Sequence, residues 1–222
     1  MSKSKLSDAQ IKLAEQFRCP AGEQGIVVAN SMNDTNIGMT MQTVKALSLA
    51  ENDVVLEIGH GNAKHVAQIF NIQNKLTYTG LDISPLMYQE ATKVNAELIE
   101  QKKANFMLSE GTTLPFPDEF FTKIFTVNTI YFWNNPEAMI SELYRVLSPG
   151  GLCCITFAHK GFLEQHPILR ETFNLYDMDL IHEISSHIPF KNISALNFTE
   201  QITSNTGEMV KRNYTVAILK KA

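Results

Sequence analysis

The sequence predicts a doubly wound α/β fold, a largely parallel sheet with helices on both faces. Three observations carry that expectation. "VVLEI", residues 54–58, is a β-branched-rich apolar run of the kind that a parallel strand buries on both faces. It leads into "GHGNAKH", 59–65, where two glycines bracket a histidine. From there the chain alternates strand-like and helix-like stretches, with no internal repeat and no low-complexity tract to suggest another architecture.

Taken in order, Gly59 and Gly61 permit dihedrals closed to other residues and lack a Cβ, so a ligand can sit against bare amides there. Asn62 offers a cap for a helix whose Val66, Ile69 and Phe70 fall at helical spacing. Unpaired N–H groups at such a helix start favour anionic or polar ligand groups. "KLTYTGLDIS", 75–84, is a second strand ending at Asp82, 21 positions after Gly61, and "PLMYQEATKVNAELIEQ" is the helix behind it. An acid at the tip of a second strand accepts hydrogen bonds from ribose hydroxyls in nucleotide-cofactor folds; its plainer role is a helix cap. Residues 106–108 read as a short strand, 114–118 as a proline-stiffened loop and 124–128 as another buried strand. "MISELYRVLSPGGLCCITF", 139–157, gives a helix stopped by Pro149, a Gly150-Gly151 turn and a fifth strand. "YDMDLIHEISSHIPFKNISALNF" adds a helix and a sixth strand, and "VKRNYTVAILKK" a last strand that returns antiparallel at the edge.

Composition sets bounds. With 222 residues, 44% of them hydrophobic and 19% charged, the chain can bury one good-sized core, which predicts a single domain over 1–222. The net charge of −4 and the lack of a dense Lys/Arg cluster leave no electrostatic footprint for nucleic acid. No stretch approaches a membrane span and the N-terminus is polar and amphipathic, which places the protein in the cytoplasm. Cys19, Cys153 and Cys154 are odd in number and lack metal-ligand spacing, as expected of reduced structural thiols, and no metal site is expected.

The spacing of the glycine turn separates two cofactor classes. A dinucleotide fingerprint requires a small residue at the sixth position from Gly59, and that position is Lys64. Glu57, Gly59, Gly61 and Ala63 instead fill an acid followed by G-x-G-x-G, with one glycine replaced. This pattern resembles motif I of the class I S-adenosylmethionine-dependent methyltransferases. Glu110 ahead of "LPF" and the fourth strand, and "LYRVLSPGG" at the turn into the fifth, resemble later motifs of the same family in the same order. The chain is identified as a member of that family over about residues 50–158, most similar to the type 11 branch that includes the ubiquinone/menaquinone biosynthesis methyltransferases.

The resemblance implies a Rossmann-like seven-stranded sheet of order 3-2-1-4-5-7-6, S-adenosyl-L-methionine as cofactor and S-adenosyl-L-homocysteine as product. It puts the methionine end of the cofactor against Glu57, Gly59, His60 and Gly61, the ribose on Asp82, the adenine amino group on Glu110 and an adenine ring nitrogen on the Gly111 N–H. Asn62, Ile83, Met87, Thr112 and Asn128 complete the expected cofactor surroundings.

Around that core, residues 1–49 are expected to form a helical cap, and 159–222 a lid insertion (159–177) followed by the C-terminal strands. Tyr131, His159 and His60 stand at strand ends as candidate bases, while Met32, Asn36, Met39, Tyr131 and Trp133 are expected to line an acceptor pocket. Each has a plainer role, the histidines as turn or loop residues and the methionines as core. An aromatic, mildly polar lining favours a small, planar, largely apolar methyl acceptor. Two other functions stay open: a non-catalytic module that binds S-adenosylmethionine or a partner, and an NAD-dependent oxidoreductase, against which Lys64 and "LSPGG" both stand.

Overall fold

A computed structural model describes residues 6–111, 113–203 and 207–222. Two helices come first, α1 (Asp8–Arg18) and the long α2 (Gly22–Leu47). The core then alternates β1 (Val54–Ile58), α3 (Val66–Ile72), β2 (Thr77–Asp82), α4 (Pro85–Val94), α5 (Ala96–Glu100), β3 (Ala104–Leu108), β4 (Phe121–Val127), α6 (Pro136–Val146) and β5 (Leu147–Ala158). Two short helices, α7 (Lys160–Leu163) and α8 (Pro167–Thr172), precede α9 (Met178–Ser185), β6 (Phe190–Thr203) and β7 (Met209–Lys221).

The sheet has seven strands in the order 3-2-1-4-5-7-6, parallel except for β7, which runs antiparallel to both β5 and β6. This is the order the resemblance implies: the last strand inserts between β5 and β6 and leaves β6, not β7, at the edge. The inserted strand is the apolar one: Tyr214, Val216, Ala217 and Leu219 are buried, while β6 alternates exposed and half-buried residues as an edge strand can.

Strand alternation sends the core to both faces. Leu56, Ile124, Cys153 and Ile155 pack with Met139, Ile140 and Leu143 of α6 and with Ile181 of α9. Their neighbours Val55, Phe125 and Cys154 pack on the other side with Met39, Val44 and Leu47 of α2 and with Val66 and Ile69 of α3. All three cysteines are free thiols, and burial pushes the Cys153 thiol well up and that of Cys154 to about 12. A helix start at Asn62 is not what forms: α3 begins at Val66 with His65 as its cap residue, because residues 60–65 are spent on a turn in which Ala63 takes φ +52°. Pro149 does not stop α6 either. That helix ends at Val146, and β5 starts at Leu147, which is fully buried and pairs with Phe121.

Candidate functional site

The carboxyl ends of β1, β2 and β4 open onto a cavity of about 770 Å³, where a doubly wound sheet holds its ligand at the switch between strands 1 and 4. Its walls include Gly59, Gly61, Asp82, Glu110, Asn128 and Tyr131, so the topology brings together residues spread over more than 70 positions of sequence. Among the residues predicted for the site, Glu57, His60, Asn62, Ile83, Met87, Gly111, Met32, Asn36 and Trp133 also border this cavity. Thr112 lies outside the described residues. Met39 and His159 do not border it.

The glycine turn is built for space rather than for free donors. Gly61 has φ +57°, and a Cβ added there would meet nothing within 4 Å, so it would project into open cavity. The bare amides expected in this turn are taken: Gly59 N–H donates to Leu81 O at 2.7 Å and Gly61 N–H to Asp82 Oδ2 at 2.9 Å. Gly59 is demanded by packing, since a Cβ there would collide with the Thr129 side chain. Ala63, standing where the motif usually has a third glycine, keeps its left-handed φ with its carbonyl accepting from Asn95 Nδ2 at 3.1 Å.

Asp82 is the best-placed acid. One oxygen accepts from Gly61 N–H and the other from Ser84 N–H at 2.9 Å, which locks the carboxylate at the rim of β2 with lone pairs to spare. Burial pushes its pKa up, only partly offset by the neighbouring His60 and those two N–H groups. Ser84 also caps α4 and donates its hydroxyl to Pro20 O at 2.6 Å, tying the N-terminal helices to this corner.

Beneath the turn Glu57 is 3% exposed, and its Oε2 accepts from His65 Nε2 at 2.8 Å and from the Tyr78 hydroxyl. Burial and the adjacent carboxylate push the Tyr78 pKa far up, so the phenol stays protonated and donates. Glu57 therefore anchors the turn from below. At the opposite end Glu110 is exposed, and the Gly111 N–H expected for adenine donates to Ser109 Oγ at 3.1 Å.

The candidate bases do not converge. His60 Nδ1 donates to Gly61 O at 2.7 Å and its ring packs edge-on against Phe106, which leaves Nε2 buried and without a partner among the described residues. Burial lowers its pKa and keeps it neutral. His159 lies on a separate small pocket with Tyr176 and Asn197, where its Nε2 bonds Thr215 Oγ1 at 2.8 Å; the first residue past β5 turns toward β7, not toward the cavity. Tyr131 does face the cavity, but its hydroxyl donates to Asn128 Oδ1 at 2.9 Å and accepts from Ala158 N–H at 2.6 Å, and burial pushes its pKa up. Met39 is fully buried between α2 and the sheet, in contact with Asn128 through its sulfur.

Two features of this site escape a reading of the sequence. Phe173, at the end of α8, stacks on Tyr131 with ring centroids 5.0 Å apart and meets Phe132 and Phe17 edge-on, so the 159–177 segment is packed down as an aromatic wall. Arg212 is 5% exposed and lines the cavity from β7. Its signal is the period of two: Val210, Arg212, Tyr214 and Val216 share a face, and one of them is a cation.

Fold and site define a class of protein, a doubly wound domain whose cavity opens in front of β1, β2 and β4. Residues 56–155 match the family model described as "Methyltransferase domain", and this region is a class I S-adenosylmethionine-dependent methyltransferase domain of the type 11 branch. The chain is similar to the uncharacterized methyltransferase YdaC of Bacillus subtilis, 28% identical over 121 residues that cover 54% of this chain and 65% of that protein. It thus spans just under two thirds of that relative's length. An O-methyltransferase of Pyrenophora dematioidea is 24% identical over 185 residues, 80% of this chain and 69% of that one. A S-adenosylmethionine-dependent methyltransferase structure from Aquifex aeolicus has the same fold, with a TM-score of 0.63 at 17% identity over 97% of this chain and 100% of that one.

The residues present fit S-adenosylmethionine, the cofactor of this class. Open space stands over Gly61, a carboxylate with unused lone pairs stands at the tip of β2, and one continuous cavity joins both to an aromatic compartment.

Proposed function

We propose that this chain transfers the methyl group of S-adenosylmethionine to a small, planar, largely apolar acceptor, as one cytoplasmic methyltransferase unit in which 1–49 caps the cofactor and 159–177 closes the acceptor side. The observation that carries this is the continuity of the cavity, from Asp82 and Gly61 at one end to Phe132, Trp133 and Phe173 at the other. No helix among the described residues is long and apolar enough to cross a membrane. When bound, the cofactor supplies a methyl group already activated on a sulfonium. The chain's task is then to hold and orient: Asp82 takes the ribose hydroxyls, the Gly61 backbone leaves room for the methionine end, Ile83 and Met87 flank the ribose and base, and Glu110 meets the adenine edge. Trp133, Met32 and the ring of Tyr131 shape the acceptor compartment and keep water out, and orientation of this kind can contribute roughly 7–11 kcal/mol to a barrier. Tyr131 acts by shape and hydrogen bonding, because both its bonds are already committed.

Calorimetric titration with S-adenosylmethionine, followed by measurement of S-adenosylhomocysteine release against a panel of phenols, carboxylic acids and amines, tests the function. Binding with no turnover on any acceptor would leave a cofactor-binding module, and saturable NADH binding with none for the sulfonium cofactor would overturn the assignment.

Asp82 gives a sharper test. Ionised Asp82 accepts from the ribose hydroxyls, so binding favours the charged form, expels a proton and strengthens as pH rises through the raised pKa of the free protein. The affinity limb should therefore lie above the ordinary carboxylate value of 3.8. In the free protein the sign is opposite: with its folded pKa raised, Asp82's contribution to stability is full below the unfolded value and is lost as pH rises through the folded one. Asp82→Ala should cost about 1.5–3 kcal/mol of S-adenosylhomocysteine affinity and flatten the limb. A variant that keeps wild-type affinity for both S-adenosylhomocysteine and adenosine would remove the ribose role.

A further inference from the structure

Two groups that can only donate fix the protons of the Asn36, Asn128 and Tyr131 run on the wall of the acceptor compartment. Arg212 is the first: its Nη1 donates to Asn36 at 2.9 Å, so the atom it meets must be the amide oxygen. Asn128 donates its Nδ2 to that same oxygen at 3.1 Å, which turns Asn128 Oδ1 toward Tyr131. The Tyr131 hydroxyl donates to it, and takes in return the second donor-only group, the backbone N–H of Ala158. Flipping Asn36 would set donor against donor at Arg212, and flipping Asn128 would set acceptor against acceptor at Asn36.

The network leaves a defined remainder. Both acceptor positions that Asn36 Oδ1 offers are used, by Arg212 and by Asn128, while the protons on Asn36 Nδ2 have no partner among the described residues. Arg212 spends Nε and Nη2 on Glu200 Oε1, at 3.0 and 2.7 Å, and Nη2 also on Thr35 O, and it retains one N–H on Nη1. Asn36, Asn128 and Arg212 all border the cavity, and the surfaces opposite them are apolar: Met32, Phe132, Trp133, Leu169 and Phe173. Three of the four carboxylates on the cavity stand at the cofactor end, and the fourth, Glu208, stands two residues before Val210 on the hairpin that carries Arg212. Glu57 and Asp82 are bonded at the cofactor end, Glu110 is exposed at the adenine end, and Glu208 is exposed on the β6–β7 hairpin. The other titratable or charged groups on the cavity wall are Arg18, His60, His65, Tyr131 and His166, none of which is an anion there.

Resting on the methyltransferase reading above, we infer that the acceptor is an oxygen acid: a flat, apolar molecule that presents a carboxylate or phenolic oxygen to Asn36 Nδ2 and Arg212 Nη1. An ammonium group would meet the Arg212 guanidinium and the Asn36 amide protons at this point of the wall, neither of which can accept. The transfer balances without a base. The acceptor oxygen, already deprotonated, gives a lone pair to the new O–C bond as the pair of the C–S bond returns to sulfur. Anion and sulfonium are thereby neutralised to an ester or aryl ether and a thioether. This accounts for a compartment whose phenol is bonded on both sides, whose His60 has Nδ1 committed to Gly61 O, and from which His159 is absent.

The test uses the protein saturated with S-adenosylhomocysteine and three probes on one bicyclic frame: 2-naphthoate, 2-naphthol and 2-naphthylmethylamine, titrated calorimetrically. One of the oxygen probes should bind about tenfold or more tighter than the amine, and which of them does so separates carboxylate from phenol. Asn36→Asp, which removes the donors and adds a negative charge in the same volume, should weaken that probe by about tenfold or more. Asn36→Ala should fall between. The affinity of S-adenosylhomocysteine, within about threefold of wild type, certifies that each variant is folded. Equal or tighter binding of the amine, no binding of any probe, or wild-type probe affinity in Asn36→Asp overturns the inference. Failure of S-adenosylhomocysteine itself to bind the wild type would overturn the underlying methyltransferase reading instead.

Discussion

Gly61→Val is expected to abolish S-adenosylmethionine binding, by about a hundredfold or more, which is about 2.7 kcal/mol. A Cβ at Gly61 meets no protein atom within 4 Å and stands in the cavity, so the isopropyl group would occupy ligand space. The backbone carries a second cost: φ is +57° there, and a β-branched residue in the left-handed region is strained by roughly 1–3 kcal/mol. That strain should lower the melting temperature by only several degrees in a domain of this size. Gly61→Ala separates the two effects, since it brings less bulk to the cavity. Differential scanning calorimetry and cofactor titration on both variants decide the matter; a folded Gly61→Val protein with wild-type affinity would move the cofactor out of this turn.

Met39→Ala should have the largest effect on stability and little on cofactor affinity. Its side chain is fully buried within the layer between α2 and the sheet, where truncation of a methionine costs about 2–5 kcal/mol. At roughly 2–4 °C per kcal/mol for a chain of this length, melting should fall by about 5–15 °C. S-adenosylhomocysteine affinity, measured well below the lowered melting temperature, should stay within about threefold. An unchanged melting temperature together with weakened ligand binding would return Met39 to the pocket wall.

Met39 and Met32 show why this division could not be made from composition. Both lie on α2, seven residues apart, and both are plausible for an adaptable apolar wall. Seven residues is almost two helical turns, so the two start from nearly one face. What separates them is what lies underneath: Met32 borders the cavity, whereas Met39 packs with Val55, Phe125 and Cys154 on the face of the sheet and meets Asn128 through its sulfur.

The histidines make the same point in another way. His60 and His159 occupy strand ends, where catalytic groups collect in such sheets. Yet each ring satisfies a nearby partner first, His60 the Gly61 carbonyl and His159 the Thr215 hydroxyl, and His159 lies on a separate pocket altogether. A strand end sets where a Cα stands, not which neighbour claims the side chain.

The first strand, the glycine turn and the acid at the tip of β2 were readable because each is written in contiguous residues, an apolar run, a positive-φ pair and an acid where the strand stops, while the sheet order came with the family resemblance. Backbone periodicity and glycine chemistry are local, and a local code survives in one dimension. The identity of the polar wall does not. Arg212 reaches Asn36 across 176 positions, Thr43 reaches Thr156 across 113, and Phe173 stacks on Tyr131 from a separate helix. Those pairings depend on which donors and rings the closed sheet leaves unsatisfied and within hydrogen-bond reach, and burial then enforces them, because a buried cation or amide without a partner is too costly to keep. The family and the cofactor end could thus be read along the chain, whereas the acceptor end exists only once helix α2, the tip of β4 and the inserted β7 have been brought against one another.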